Sequence, residues 1–417
     1  METSIRSLHY QTYTLAYQLA QKAQKAFCYE RGVDPATVNY ISFGYWVDSQ
    51  DGIHAGERLY YSLKALEAAY HDTRGYDFEI TKHISIRQLD PLALFQLREL
   101  GTCEIIIPEV LYDMDFPGHY QRMIKSVSLS IPCVVGPYTS ISCTLRLLDS
   151  VYRTSSLVTD KNAYPQDTTQ DDSRFRNPTS NVPITAIAVS SAQSDAGVFD
   201  LSFKDERYIP FEGSGAVSKW SLTLPTPFRQ WDYRSINDVI LHIKYTSIDG
   251  GDSLAHVAAG AVSDFVQGVV DLGATQGLFG IFDLRSEFSN EFARATVPGA
   301  PALGTTANIP LANLPERLPF YARSVGATPA KVVATDVYVM TSPVGSWVGA
   351  VTLSTGTGSS ASTTSLQAGV KEGEAAVWQA LGADLVVDGS WQVMLGAGGT
   401  GTEQVARAWV VVRFTVG

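Results

Sequence analysis

The sequence has little charge and little sulfur. Charged residues are 18% of 417, and there are only four cysteines: Cys28, Cys103, Cys133 and Cys143. No two cysteines form a CxxC pair, which excludes the usual zinc and disulfide frameworks and leaves buried free thiols as the expectation. Lys and Arg number 31 against 42 Asp and Glu, a net charge of −11. That excludes a general nucleic-acid binder, which needs cations to replace phosphate counterions. No uninterrupted apolar run approaches the ~20 residues of a membrane-spanning helix, so no span is expected. The start, METSIRSLHYQTYT, lacks the apolar core of a classical signal peptide. The seven histidines show neither HExxH nor HxH spacing, so no metal is expected. No 20–50-residue repeat appears.

Apolar residues, at 45%, are enough for a large ordered core. Leu15, Leu19, Ala23 and Phe27 recur every four positions, with Ala16, Ala20 and Ala26 beside them. This predicts a helix over 11–29 with a narrow packing face. A second helix is predicted over 53–72, with Leu59, Leu63, Leu66 and Tyr70 on one side. The two are expected to form an antiparallel hairpin. A strand is next, over 78–86. Asp90 and Pro91 then open a short helix that Gly101 stops. Beyond Cys103 the chain alternates as strands at 105–107, 124–131, 142–148, 186–189, 198–203, 217–224, 239–245, 332–340, 346–353, 385–394 and 408–416. One helix, 253–270, interrupts them. Residues 154–181 read as an exposed loop and Ser354–Ser365 as a mobile loop or hairpin tip. The expected class is α+β: a helical hairpin over 1–78, then a β-sandwich-like domain with an inserted helix over 79–417.

Chemical motifs are weak. Gly396-Ala-Gly398-Gly-Thr-Gly401 matches GxGxxG, but the next segment, Val405 to Val416, reads as a strand rather than a helix, so a glycine-rich hairpin loop is expected. Ser214 between Gly213 and Gly215 has no strand-to-helix context, so it is not a nucleophile elbow. Asp249 and Asp252 flank Gly250-Gly251, a pairing that suits a turn before the helix better than a calcium site. Tyr120, Arg122 and Lys125 read as structural. No catalytic set converges. Asp205, Glu206, Arg207, Tyr208 and Phe211 mix charge with aromatics and are candidate partner-binding residues, beside a reading as strand-edge packing.

Several strings are more specific. AYQLAQKAQKAFCYERG lies at 16–32 and GYWVDSQDGIHAGERLYYSLKALEAAY at 44–70. DPLALFQLRELGTCE lies at 90–104, DFPGHYQRMIKSVSLSIPCVVGPY at 115–138 and FKDERYIPFEGSGAVSKWSLTLP at 203–225. INDVILHIKYTSIDGG at 236–251 and LPERLPFYAR at 314–323 complete the order. Together they resemble the C-terminal part of the TcA subunit of bacterial Tc toxin complexes, thinning after about residue 325. The resemblance implies a non-enzymatic component, with no cofactor, that docks a TcB-like toxin subunit. It also implies oligomerisation with other TcA-like chains, a pentamer in the family, and secretion or host targeting without a classical signal peptide. The family's receptor-binding shell and transmembrane hairpin have no counterpart in these strings. A second reading is a glycan-binding or sialidase-like β protein, because Ser247-Ile-Asp249-Gly-Gly251 resembles half of an Asp-box turn. A third is a regulator that occupies the docking site.

Overall fold

A computed structural model describes residues 2–46, 52–73, 77–133, 135, 139, 141–158, 160–167, 172–177, 186–191, 198–201, 211–296, 307–319, 322, 324–325, 328–329, 332–342, 351–355, 362–371, 374–387, 391–395 and 407–416. Helices α1 (Glu2–Glu30) and α2 (Gly52–Thr73) open the chain. Next come β1 (Phe78–Ser85), α3 (Ile86–Leu89), α4 (Pro91–Leu100), β2 (Thr102–Ile107), α5 (Glu109–Asp113), β3 (His119–Pro132) and β4 (Ile141–Arg153). β5 (Phe175–Arg176), β6 (Ala186–Ser191), β7 (Val198–Leu201), β8 (Val217–Thr223) and β9 (Ile240–Asp249) lead to helix α6 (Asp252–Gln276). The rest is β10 (Leu278–Asp283), α7 (Leu284–Glu287), α8 (Ser289–Thr296), β11 (Ala307–Pro310), β12 (Ser324–Val325), β13 (Thr328–Pro329), β14 (Val332–Ser342), β15 (Val351–Thr355), β16 (Ser362–Lys371), β17 (Glu374–Val386), β18 (Gln392–Leu395) and β19 (Arg407–Val416). The chain is thus a mixture of helix and sheet.

The first two helices are not an antiparallel hairpin. Tyr13, Tyr17 and Ala20 of α1 cluster with Leu59 and Leu63 of α2, while Phe27 and Cys28 cluster with Leu66, Ala69 and Tyr70. Both sets ascend together, so the helices run parallel. The connection returns along them: Tyr40 packs on Phe27, and Trp46 reaches His9, Tyr10 and Tyr13. An extended chain covers more than twice the length per residue of a helix, so residues 31–51 can make this return. The predicted leucine face also points elsewhere. Leu15 and Leu19 are 59% and 57% exposed, because α2 packs on the tyrosine side instead.

Local signals in the next segment are realised. The Asp90 carboxylate accepts from the amides of Leu92 and Ala93, and Pro91 fills the first turn. Gly101 ends α4 with φ +80°.

The strands form three main antiparallel sheets. One has the order β1-β9-β3-β7. A second has β2-β8-β4-β5, with β6 also paired to β4. Residues of both share one apolar core: Ile84, Val127, Leu129 and Tyr245 from the first, Ile105, Leu145, Trp220 and Leu222 from the second. Alternation buries every second residue of β9 and β2. The third sheet runs β10-β19-β14-β17-β16-β15-β18-β11 around a separate core that includes Val337, Val410, Trp391 and Phe414. The expected β-rich region 79–417 therefore holds two cores.

One expectation holds in one of its two forms: β15 and β16 pair antiparallel as far as Thr355 opposite Ser362, so Ser354–Ser365 spans the end of a hairpin, and β17 continues the same sheet. Others fail here. The single strand expected at 385–394 divides into the end of β17 and all of β18. Residues 396–401 lie outside the described residues. Their flanking strands do not pair with each other, since β18 joins β11 and β15 while β19 joins β10 and β14, so the expected hairpin is absent. The loop after residue 153 is not simply exposed, because Val158, Tyr164 and Phe175 are buried.

Helix α6 lies against α5, the 3-10 turn at Lys161–Ala163 and β19, touching both cores. Its segment Asp252–Gly273, with mean hydropathy 1.2, is long and apolar enough to cross a membrane by length and composition, which corrects the expectation that none would be. Ion pairs cross between the cores. Arg407 reaches Glu99 at 2.7 Å and Asp283 at 3.0 Å, while Glu287 faces Arg317 at 3.3 Å and Arg87 at 3.7 Å.

Candidate functional site

A buried polar centre lies under the α5–α6 contact. Helix α5 places Glu109 and Asp113 one turn apart, on the same side. The Arg153 guanidinium donates to both Glu109 oxygens, Nε at 3.0 Å and Nη2 at 2.8 Å, and Nη2 also donates to the Tyr164 carbonyl at 2.6 Å. Arg122 Nη2 donates to Asp113 Oδ1 at 2.6 Å and to the Phe116 carbonyl at 3.0 Å. The Tyr164 hydroxyl donates to Asp113 Oδ2 at 2.9 Å. The rings of Tyr164 and Phe175 cover Arg153 at 4.2 and 4.5 Å. Burial pushes the Asp113 carboxyl up to about 6, against the pull of Arg122.

Beside this quartet opens a cavity of about 620 Å³. Ile106, Val110, Val217, Val262 and Phe265 supply apolar walls, and Glu109 and Asp113 are among its polar lining. These carboxylates are held by guanidinium groups and a phenol, so the centre is built to join α5, β3, β4 and the 160–167 segment. The sequence reading missed it, because Tyr164 and Phe175 sit in a polar stretch that hides their burial.

Of the five predicted partner-binding residues, Asp205, Glu206, Arg207 and Tyr208 lie outside the described residues. Phe211 is a core residue: it is 1% exposed and packs edge-on against Trp220 at 4.9 Å. It therefore offers no surface to a partner in this conformation. It anchors a tight turn in which the Ser214 amide donates to its carbonyl at 3.1 Å. The Tyr29 hydroxyl donates to the Gly213 carbonyl, which ties α1 to this turn. Ser214 is fully buried. A β-carbon on Gly215 would overlap the Val151 carbonyl.

Other predicted features become turns and packing. Asp249 Oδ1 accepts from the Gly251 amide at 2.8 Å, and Ser247 is buried against His119 at 2.9 Å. The half Asp-box is thus a strand end and a turn into α6. Gly118, at φ +87°, lies against the Ala255 backbone, so only glycine fits there. Arg122 is buried, Tyr120 packs beside α6, and Lys125 pairs with Glu79 at 3.1 Å. Among the described residues, no group of three or more His, Cys, Asp or Glu side chains is arranged to hold a metal ion.

All four cysteines are buried and free. Burial pushes the thiols of Cys103 and Cys143 up to about 12 and that of Cys133 to about 11. Thiolate is the reactive form. Ellman's reagent at pH 8 is therefore expected to label none of these three within minutes, and all four cysteines once the chain is unfolded in guanidinium. Rapid labelling of the folded chain would contradict this burial.

The described features are those of a packed scaffold: a helix pair tied to a two-sheet unit, with ionic groups of the quartet used internally. The family model described as the Tc toxin complex TcA C-terminal TcB-binding domain matches residues 1–247, and the chain belongs to this family. The match covers both helices and the first core and ends within β9, short of the span suggested by the sequence strings. The toxin subunit YenA2 of Yersinia entomophaga is 34% identical over 258 residues, which are 61% of this chain and 18% of that protein. The chain thus spans about a fifth of the curated relative it matches. Solved structures of Morganella morganii TcdA4 and Yersinia pseudotuberculosis TcaA-TcaB are similar at 22% and 23% identity, each with a TM-score of 0.41. Each covers 59% of this chain, and the alignments take in 11% and 14% of those chains respectively.

Proposed function

We propose that the chain is a non-enzymatic toxin-complex component that docks a TcB-like subunit and assembles with further TcA-like chains. The observation that carries the reading is the family match across residues 1–247. Two features agree with it. The polar groups of the ionic quartet hold one another rather than facing a reacting centre. Helix α1 leaves Leu8, Leu15 and Leu19 exposed at intervals of seven and four, the spacing of a seam for another helix. On this proposal 1–78 supplies the helical contacts between chains and 79–417 supplies the docking part. Asp205, Glu206, Arg207 and Tyr208 contribute to docking, beside the turn that Phe211 anchors.

Light scattering on the full chain is expected to show an oligomer that L15E/L19E reduces to monomer. A pull-down with a TcB subunit is expected to retain the chain and to weaken at least tenfold with R207A/Y208A. A monomeric wild type together with no retained TcB would sink the reading. No structural observation favours the glycan reading, because the residues that motivated it form the turn before α6.

A further inference from the structure

His83 and His242 lie 159 positions apart in sequence and stand directly opposite each other on β1 and β9. Both side chains are on the outer face of the first sheet, since the alternating partners Ile84, Leu241 and Ile243 enter the core. Their Nδ1 atoms face each other at 2.5 Å. The second nitrogen of His242, Nε2, is 2.8 Å from the Ser130 hydroxyl. If Nε2–H donates to Ser130, the Nδ1 lone pair of His242 is left aimed at His83. His83 can meet that lone pair in two ways: as the tautomer that donates Nδ1–H to it, or, with its proton on Nε2, by sharing a metal ion with it.

We propose that this pair is a surface site for a divalent transition metal, with copper(II) the best fit. Each imidazole supplies Nδ1, and water completes the coordination. His83 contributes its Nδ1 lone pair by carrying its proton on Nε2, so no redox step is involved. Metal–nitrogen distances of about 2.0–2.1 Å place two cis ligands about 2.9 Å apart in a tetragonal site and about 3.4 Å apart in a tetrahedral one. The first needs the rings to open by only about 0.4 Å. Copper(II) prefers tetragonal geometry and binds imidazole most tightly among the first-row divalent ions. The Ser130 hydroxyl is the outer partner that orients His242. Around the pair the outward residues of β1 and β3 are small, Thr81 and Ser85 on β1 and Ser128 and Ser130 on β3, while Ile240 and Lys244 flank His242 on β9. The small side chains leave room for metal-bound water. Among the described residues, Glu79, Lys125 and Lys244 on this face are joined in their own ion pairs, and Asp238 accepts from the Ser85 hydroxyl.

A metal here would clip β1, an edge strand of its sheet, onto β9. Imidazolium cannot ligate, so binding is expected to fall as the pH drops through the histidine range.

The test is copper(II) titrated into the full chain at pH 7.5 against a weak chelator, read by electron paramagnetic resonance and by melting temperature. The expected result is one copper per chain with a two-nitrogen signature and a rise in melting temperature. His83→Ala and His242→Ala are each expected to lower affinity at least tenfold, and Ser130→Ala about tenfold. All three lie on the outer face, and circular dichroism checks that each variant folds. The same affinity in both histidine variants, or binding without stoichiometry that leaves the melting temperature unmoved (an adventitious ion only), would overturn the proposal. The outcome is independent of whether the chain docks TcB.

Discussion

Replacing Arg153 with Met is expected to cost about 3–5 kcal/mol of stability, because it strands a buried carboxylate. Glu109 would lose both of its close hydrogen bonds from Arg153, and the Tyr164 carbonyl would lose a donor. Arg122 gives its Nη2 to Asp113, and its Nη1, 3.6 Å from Glu109 Oε1, lies beyond hydrogen-bond reach and would have to shift to compensate. The double variant Glu109→Gln/Arg153→Met removes both charges, so it should recover at least half of the loss. A buried pair contributes little against an apolar replacement, yet much against a half-broken one. Urea unfolding followed by tryptophan fluorescence measures both variants. If the single variant lost less than about 1 kcal/mol, the quartet would not be the joint between α5, β3 and β4 that its geometry indicates.

Gly215→Ala is expected to be as damaging, by a steric route. The added methyl would overlap the Val151 carbonyl and lie 2.8 Å from the Val151 amide nitrogen. Both are backbone atoms of β4 in the ladder with β8, so neither can rotate aside. A loss of about 3 kcal/mol or more is expected, with failure to fold as the extreme. Gly56→Ala is the control. Gly56 sits inside α2 with open space where the methyl would go, so a gain of about 0.5–1 kcal/mol is expected there. Equal effects at the two glycines would show that close approach at the 211–215 turn is not what holds β8 against β4.

How much the sequence revealed depended on how local each signal is. Asp90, Pro91 and Gly101 bounded α4 correctly, because caps act within one turn. The alternation of β9 and β19 was visible because each strand has one face in a core. Chain direction was not visible. Periodicity shows that α1 and α2 each have a packing face, but it does not say whether residues 31–51 turn back at once or run the length of the pair. The stripe of Leu15, Leu19, Ala23 and Phe27 was read as one packing face, whereas the contact with α2 is held by Tyr13, Tyr17, Ala20 and Phe27 and leaves Leu15 and Leu19 exposed. The Ser354–Ser365 segment, read as a loop or hairpin tip, spans the end of the β15–β16 pair, and its Ser and Thr content hid how far β16 runs beyond it. The quartet and the His83–His242 pair depend on strand register across long separations, which no spacing rule detects. Of the candidate partner residues, Phe211 shows the limit most plainly. An aromatic beside charges reads as a docking anchor, but here it fills the space beside Trp220.

Docking of a TcB-like subunit is the central claim, and calorimetric titration of a purified TcB subunit into the full chain tests it most directly. A saturable isotherm is expected, with a negative heat-capacity change from buried apolar surface. A flat trace at every temperature, with both proteins folded, would contradict it.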